Sequence, residues 1–126
     1  VKWSEKNEAT LINECDIGIM PLPDLPFERG KCGYKLLQYM SCGLPVIASP
    51  VGINTSLIDH GENGFLAKSK EEWLYYLKYL IKNKELRRTF GSKGRLIVLK
   101  TFTTKRVGNI IKNYFSKKMG KNKCVV

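Results

Sequence analysis

Hydrophobic positions form three short apolar runs in the first half of the chain and helical stripes in the second half. These runs are residues 16–20, 44–49 and 65–67, and Pro, Gly or Asn-Gly bounds them. The run at residues 44–49 does not alternate with polar residues, which is typical of a parallel strand that is covered on both faces. We therefore predict three short strands, with a helix over residues 33–42 between the first two and a short helix near residues 53–60 before the third.

The second half of the chain predicts amphipathic helices. Ser69 and Glu72 have the spacing of a capping box, so a helix is expected to begin there. Its apolar stripe consists of Trp73, Leu74, Leu77, Leu80 and Ile81. A second helix over residues 85–99 is expected to bury Leu86, Phe90 and Ile97. The last is expected to begin at a Thr103 cap and to bury Val107, Ile110, Ile111, Tyr114 and Phe115.

Alternation of strands and helices favours an α/β fold with a doubly wound parallel sheet and two or three C-terminal helices. Three strands are few for such a sheet, so we expect further strands upstream of Val1. Ligands of these sheets lie beyond the carboxyl ends of the strands. That rule places the segment of residues 21–33 at the ligand edge, and residues 21–32 are expected to be the longest irregular loop.

The net charge of +11 is unevenly distributed. Residues 1–67 hold five Lys and Arg against eight Asp and Glu, whereas residues 68–126 hold seventeen against three. Such a basic half suits nucleic acid, an anionic membrane surface or an acidic protein, and a lysine-rich solvated surface is the simpler interpretation. The basic run at residues 117–123 follows an amphipathic helix, which fits the inner face of a cell membrane. Without a membrane-spanning run or a signal-peptide pattern, we expect a cytoplasmic protein.

The cysteines and the histidine point to no metal chemistry. Cys15, Cys32, Cys42 and Cys124 form no Cys-x-x-Cys pair, and His60 is the only histidine. We expect free thiols that pack as small apolar residues in a reducing compartment. His60 lies in a segment rich in Asp, Gly and Asn, which predicts a solvated turn residue.

The candidate chemistry lies where a glycine-bearing loop enters the helix of residues 33–42. The first amide N–H groups of a helix have no partner within it and carry a partial positive charge, which suits a bound phosphate. Lys31 and Lys35 flank this helix start. Surface charge is the alternative interpretation of both lysines. The segment predicts binding of a phosphorylated small molecule.

Residues 16–21, 33–49 and 63–66 together resemble the group 1 glycosyltransferases (family 4). The most specific element is Met-Ser-Cys-Gly-Leu-Pro-Val at residues 40–46, after a glycine-bearing helix start. This family has two Rossmann-like domains in the GT-B arrangement, and the chain resembles the later part of the C-terminal, donor-binding domain. The resemblance divides the chain into a partial Rossmann-like domain at residues 1–102 and an amphipathic helix with a basic tail at residues 103–126.

The resemblance also implies an activity. A hexosyltransferase of this kind moves a sugar from a nucleoside-diphosphate sugar, such as a UDP-sugar or GDP-sugar, with retention and without a cofactor or metal. The acceptor would be a glycan or lipid-linked molecule bound through the absent N-terminal domain, as in bacterial polysaccharide biosynthesis, and the fragment alone is expected to be inactive. The sequence does not identify the nucleotide base, the sugar or the acceptor. The alternative function is a non-catalytic basic module for anionic membranes or nucleic acid, although no nucleic-acid motif is present and nucleic acid is not expected as a partner.

The family pattern assigns the donor site residue by residue. Gln38 falls on the family's second glutamate, which holds the ribose, and Gly30 falls on the first. Glu28, two positions earlier, is the one candidate for a replacement carboxylate and for a catalytic role. These differences from the family pattern indicate either that the donor is bound by other contacts or that the protein is an inactive member of the family. The predicted nucleotide-sugar-binding residues are Gly30, Lys31, Cys32, Gly33, Tyr34, Lys35 and Gln38.

Overall fold

The computed structural model describes residue 4 and residues 6–119, and a three-stranded parallel sheet lies at its centre. The strands β1 (Gly18–Met20), β2 (Val46–Ala48) and β3 (Gly64–Leu66) lie in that order, so β2 is central. Each strand falls within or beside its predicted apolar run. The α/β fold class is therefore confirmed.

Seven helices surround or follow this sheet in the described part of the chain. Their bounds are α1 Glu8–Asn13, α2 Pro26–Arg29, α3 Tyr34–Ser41, α4 Asn54–Leu57, α5 Lys70–Lys82, α6 Lys84–Thr101 and α7 Thr104–Met119. Residues 21–32 were expected to be irregular throughout, and α2 corrects that prediction. Proline suits the first helical position because its fixed φ fits a helix and its missing N–H is not needed there, and Pro26 occupies that position.

Side chains of β2 reach the cores on both faces of the sheet. Val46 and Ala48 belong to one apolar cluster and Ile47 to the other, and all three are fully buried. Successive strand residues point to opposite faces, so these clusters lie on the two sides. The first cluster includes Leu36 and Met40 of α3, and the second includes Leu80 and Phe90 of α5 and α6. Burial on both faces explains why the run at residues 44–49 does not alternate.

Glycines allow α6 to pack closely against α3 and the turn that follows it. Gly43 follows the end of α3 with a φ of 76°, a left-handed conformation that glycine adopts without strain, and the predicted helix over residues 33–42 stops at the same point. A Cβ at Gly91 of α6 would overlap the carbonyl oxygen of Gly43. A Cβ at Gly94 would lie 3.4 Å from Cγ of Met40. The close approach of α6 therefore sets the position of α3 and of the segment that precedes it.

The two predicted helix caps are present. Ser69 and Glu72 form the capping box at α5, with the Glu72 amide donating to Ser69 Oγ at 3.2 Å and the Ser69 amide donating to Glu72 Oε2 at 3.4 Å. At the start of α7, the Arg106 amide donates to Thr103 Oγ1 at 3.3 Å. These caps depend only on neighbouring residues, so the sequence suffices to predict them.

The predicted burial of the last helix is wrong. The five residues of α7 that were predicted to be buried are 44% to 58% exposed, and no described side chain of that helix is buried. In α5, Leu74 and Ile81 are also exposed, whereas Leu80 is buried and Trp73 and Leu77 are partly buried. Helical spacing identifies an apolar face but does not say what covers it.

The packing of the thiols differs from expectation, whereas the exposure of the histidine agrees with it. Cys15 and Cys32 are free but exposed, and Cys42 is half-buried, so they are not packed core residues, while Cys124 lies outside the described residues. His60 is exposed as predicted, yet its Nδ1 accepts a hydrogen bond from the Leu66 amide at 3.0 Å. Its ring also packs edge-on against Phe65. His60 therefore ties the turn before β3 to the sheet.

Candidate functional site

A cavity of about 680 Å³ opens at the carboxyl end of β1, against the start of α3. This is the ligand edge predicted for a doubly wound sheet. Its floor and walls come from the end of β1 and from the segment that joins α2 to α3. The lining residues are Ile19, Met20, Pro21, Leu22, Gly30, Lys31, Cys32, Gly33, Tyr34 and Lys35.

The start of α3 presents free amide groups beside this cavity. Gly33 occupies the N-cap position with a φ of 69°, and no side chain caps the helix. The first turn holds no acidic residue. The amide N–H groups of Tyr34 and Lys35 have no partner within the helix, because the first turn of any helix lacks acceptors for them. This end of α3 therefore carries a partial positive charge that suits an anion.

Two features require glycine at position 33, namely its positive φ and the lack of space for a side chain. A Cβ built on Gly33 would lie 2.8 Å from Ile53 Cγ2 and 2.8 Å from Leu57 Cδ1. Any side chain there would push against α4 and its preceding turn. The absence of a side chain lets the start of α3 sit close to α4 while it borders the cavity.

Two lysines and no acidic residue belong to the cavity lining. Lys31 is half-buried, and its Nζ lies 5.4 Å from the centroid of the Phe27 ring, within the range of a cation–π contact. Lys35 is exposed on the first turn of α3. Together with the helix start they make this rim electropositive. The exposed Cys32 thiol and the exposed ring of Tyr34 complete the same rim.

An ion pair between Asp24 and Arg29 connects the start of the segment around α2 to the end of that helix. Arg29 donates to Asp24, with Nε to Oδ1 at 2.6 Å and Nη2 to Oδ2 at 3.1 Å. The hydrogen bonds from Arg29 lower the pKa of the Asp24 carboxyl from its ordinary value. Both side chains are largely exposed, so this pair orients the loop more than it stabilises the fold.

Hydrogen bonds of two polar residues brace the carboxyl ends of β1 and β2. The buried Ser49 accepts a hydrogen bond from the Leu22 amide on its Oγ at 2.9 Å. The buried Asn54 donates from Nδ2 to the Ser49 carbonyl at 3.0 Å. These bonds connect the cavity wall at Leu22 to the turn before α4. Sequence reasoning missed both residues, because the bond between Leu22 and Ser49 joins residues that are separated by α2, α3 and β2 and leaves no local pattern.

The structure brings six of the seven predicted donor-site residues to one cavity and leaves Gln38 outside its lining. Gln38 is half-buried and lies about one turn along α3 from Tyr34. Glu28 does not line the cavity either, although the Lys31 amide donates to its carbonyl oxygen at 3.2 Å. Glu28 Oε2 is buried and has no hydrogen-bond partner among the described residues.

The apolar wall of the cavity was not predicted. Ile19, Met20, Pro21 and Leu22 follow or end β1, and the one available signal was their position at the carboxyl end of a predicted strand. Within residues 4 and 6–119, no group of three or more His, Cys, Asp or Glu side chains is arranged to hold a metal ion.

Comparison with known proteins connects this arrangement to a family. A family model described as glycosyl transferases group 1 matches residues 2–97. The chain belongs to the group 1 glycosyltransferases. The match covers the sheet, the cavity and most of α6. It ends before α7.

Individual relatives agree with this assignment. N-acetyl-alpha-D-glucosaminyl L-malate synthase from Bacillus anthracis is 30% identical over 82 residues, which are 64% of this chain and 22% of that protein. The crystal structure of Anabaena HepE in complex with UDP-glucose is 25% identical, with a TM-score of 0.72, and the alignment covers 85% of this chain and 29% of HepE. The sucrose-phosphate synthase of Thermosynechococcus elongatus has the same fold, with a TM-score of 0.82 over 96% of this chain and 30% of that protein at 20% identity.

These relatives are considerably longer than the chain, which spans about a quarter of the curated relative and about a third of each structure. None of the described helices combines the length and the apolar composition that crossing a membrane requires.

Proposed function

We propose that this chain is the donor-binding part of a retaining hexosyltransferase that transfers a sugar from a nucleoside-diphosphate sugar to a glycan or lipid-linked acceptor. The observation that supports this most is the cavity at the carboxyl end of β1, where the uncapped start of α3 and two lysines form an electropositive rim. A positively charged rim suits the diphosphate of a nucleoside-diphosphate sugar. HepE, which shares the fold, has been crystallised with UDP-glucose.

In this proposal the donor diphosphate lies against the start of α3. Amide N–H groups of Tyr34 and Lys35 donate to phosphate oxygens, and Lys31 and Lys35 add positive charge beside them. Negative charge accumulates on the departing diphosphate as the bond to the sugar breaks. The same groups then stabilise the transition state more than the ground state, which is how electrostatic catalysis lowers a barrier.

The remainder of the donor extends beyond the residues that line the cavity. Gln38 is assigned to the ribose hydroxyls, to which its amide offers one acceptor oxygen and two donor hydrogens. Glu28 is assigned to hydroxyl groups of the donor as the replacement carboxylate of the family pattern. Its Oε2 is buried without a partner among the described residues and Glu28 does not line the cavity, so its side chain has to turn outward to reach a donor. The apolar wall of Ile19, Pro21 and Leu22 excludes water from the bound donor.

Transfer itself requires an acceptor. Because the chain spans only part of its relatives' length, we assign the acceptor site to the remainder of a longer protein and expect the 126 residues alone to bind donor without turnover. The proposed mechanism uses no metal ion and no cofactor besides the donor. We place the reaction in the cytoplasm, in polysaccharide biosynthesis.

A nucleotide-sugar screen tests the proposal. The melting temperature of the chain is measured with UDP, GDP, their sugars, uridine and inorganic phosphate. A ligand at a concentration of about 100 Kd stabilises the folded state by about 2.7 kcal/mol, which for a domain of this size is a rise of about 10 °C or more. At least one nucleoside diphosphate or its sugar should produce such a rise, and uridine should not.

The alternative, a non-catalytic basic module, makes the opposite prediction. No nucleotide would then stabilise the fold, and the chain would bind DNA or anionic vesicles in a salt-sensitive way. Vesicle binding alone does not separate the two functions. The response to nucleotides does.

A further inference from the structure

A second cavity, of about 490 Å³, opens at the carboxyl edge of the sheet beside the candidate donor site. Its lining comes from the segments that follow all three strands, namely residues 22–24 after β1, residues 49–51 after β2 and Lys68 after β3. Leu22 also lines the first cavity, so the two cavities share this residue as a wall. A molecule in the second cavity would therefore lie next to a donor in the first.

The second cavity contains a buried hydroxyl group that is free to donate a hydrogen bond. Ser49 is 8% exposed, and its Oγ accepts a hydrogen bond from the Leu22 amide at 2.9 Å. A serine hydroxyl can donate as well as accept, yet the hydroxyl hydrogen of Ser49 has no acceptor among the described residues. Because buried polar groups are generally hydrogen-bonded, this hydrogen is suited to an acceptor atom of a molecule in the cavity.

Two charged side chains of opposite sign belong to the same lining. The two hydrogen bonds from Arg29 orient the Asp24 carboxylate, and its oxygens keep further acceptor capacity. Lys68 is exposed and forms no ion pair with a described side chain. An anion in the cavity would be repelled by Asp24, and a cation would be repelled by Lys68. Hydroxyl groups suit both, because a hydroxyl donates to a carboxylate and accepts from an ammonium group.

The remainder of the lining is apolar and conformationally restricted. It consists of Leu22, Pro23, Pro50 and Val51. The proline rings fix φ at two positions of the wall, so the polar groups are held on a backbone with few alternatives. Small-molecule sites typically combine such apolar walls with a few polar groups that orient the ligand. The second cavity therefore has the lining expected for a neutral molecule with several hydroxyl groups, which is the chemistry of a sugar.

We propose that the second cavity binds one sugar unit of the acceptor and holds it beside the donor. Ser49 and Lys68 donate hydrogen bonds to hydroxyl oxygens of this sugar, and Asp24 accepts a hydrogen bond from one of its hydroxyl groups. The proposal rests on the proposed function, since a sugar transferase has to bring its acceptor next to its donor. The remainder of the longer protein supplies the other contacts of the acceptor, and this chain contributes the subsite across Leu22.

Titration of the full chain with simple glycosides, followed by NMR, tests the proposal. The probes are the methyl glycosides of glucose, galactose, mannose and N-acetylglucosamine, each with and without saturating UDP. They are added up to about 100 mM, because a small ligand held by a few hydrogen bonds binds in the millimolar range. We expect at least one glycoside to shift the backbone amide signals of Asp24, Val51 and Lys68 even when UDP is present. Inorganic phosphate should leave these three signals unchanged.

Two neighbouring substitutions test direct contact with the sugar. Lys68→Met and Lys70→Met change the net charge equally, but only Lys68 lines the second cavity. Both side chains are exposed, and the hydrogen bond from the Lys68 amide to Glu72 Oε2 does not depend on the lysine side chain. We expect Lys68→Met to weaken glycoside binding about ten-fold, the loss of one hydrogen bond to a charged group, and Lys70→Met to weaken it less than about two-fold. Both variants should bind UDP as tightly as the parent.

The outcomes distinguish failure of this subsite from failure of the donor site. Binding of UDP without a shift from any glycoside, or equal losses in the two lysine variants, would overturn the subsite and leave the donor function intact. Glycoside shifts that appear at residues 30–35 and disappear with UDP would place the sugar in the first cavity and also overturn it. Glycoside shifts at Asp24 and Lys68 in a chain that binds no nucleotide would support a sugar site there and refute the donor function.

Discussion

The backbones of Gly52 and Arg29 pack closely against each other next to the candidate site. A Cβ built on Gly52 would lie 2.5 Å from the carbonyl oxygen of Arg29, which is closer than real Cβ atoms approach. Gly52 also has a φ of 54°, a conformation that L side chains rarely adopt. The turn after β2 therefore supports α2 directly, and α2 leads into the electropositive rim.

Replacing Gly52 with alanine should damage both the fold and the site. Left-handed strain costs about 1–2 kcal/mol, and the clash with Arg29 adds to it by displacing α2. Gly61→Ala is a matched control, because its φ is 83° but nothing lies within 4 Å of a Cβ there. Urea unfolding should show a larger loss for Gly52→Ala, and only this variant should bind UDP more weakly in calorimetry. Equal effects of the two substitutions would mean that the Arg29 contact is unimportant.

Ser49→Ala should loosen the cavity wall. The Leu22 amide would lose its acceptor in a partly buried position, and an unsatisfied buried donor costs about 1–3 kcal/mol. Thr55→Ala is the control, since it removes a hydroxyl that donates to the Gly52 carbonyl in an exposed position. Urea unfolding should place the Thr55→Ala variant within about 0.5 kcal/mol of the parent. If both variants unfold alike, the Leu22–Ser49 bond contributes nothing.

Lys31→Met should weaken binding of UDP by about ten-fold to a hundred-fold while it leaves the fold intact. A charged hydrogen bond to phosphate contributes about 1.5–3 kcal/mol, and methionine preserves much of the contact with the Phe27 ring. Lys78→Met on α5 is a control for net charge, because Lys78 does not line the cavity. Isothermal titration with UDP at two salt concentrations provides the measurement. An equal loss in both variants would argue against direct phosphate contact by Lys31.

Glu28→Ala should lower affinity for a sugar nucleotide without lowering stability. A buried carboxylate oxygen without a partner opposes folding, so removing it should leave the free energy of unfolding unchanged or raised. If Glu28 instead has a strong structural partner, the substitution would destabilise the chain by several kcal/mol. Urea unfolding without ligand and thermal shifts with UDP-glucose separate these outcomes.

The strands were predictable because burial on both faces of β2 leaves an uninterrupted apolar run in the sequence. Gly43 and the Ser69–Glu72 capping box were predictable for a similar reason, since each depends on a few neighbouring residues. The Leu22–Ser49 bond and the contact of Gly52 with Arg29 join residues far apart in sequence, and only the folded chain reveals them. The exposure of α7 belongs to the same class, because periodicity does not identify the surface that covers an apolar face.

Those parts of the site that depend on neighbouring residues in the sequence were predictable. The segment from Gly30 to Lys35 borders the cavity because it joins a short helix to the uncapped start of another at the carboxyl edge of the sheet. Gln38 is different, since the family pattern assigned it to the site together with Gly30, Cys32 and Tyr34 but it lies outside the cavity lining. Its role therefore needs its own experiment.

Gln38 should contribute to recognition of ribose but not of phosphate. Gln38→Ala is expected to weaken UDP binding by about five-fold, the loss of roughly one neutral hydrogen bond, and to leave pyrophosphate binding unchanged. Gln38→Glu should strengthen UDP binding relative to the parent, because a carboxylate accepts hydrogen bonds from hydroxyls more strongly than an amide does. Competition calorimetry with UDP and pyrophosphate on all three chains gives the comparison. Parallel losses for both ligands in Gln38→Ala would instead assign Gln38 to the packing of α3 and leave the ribose to another residue.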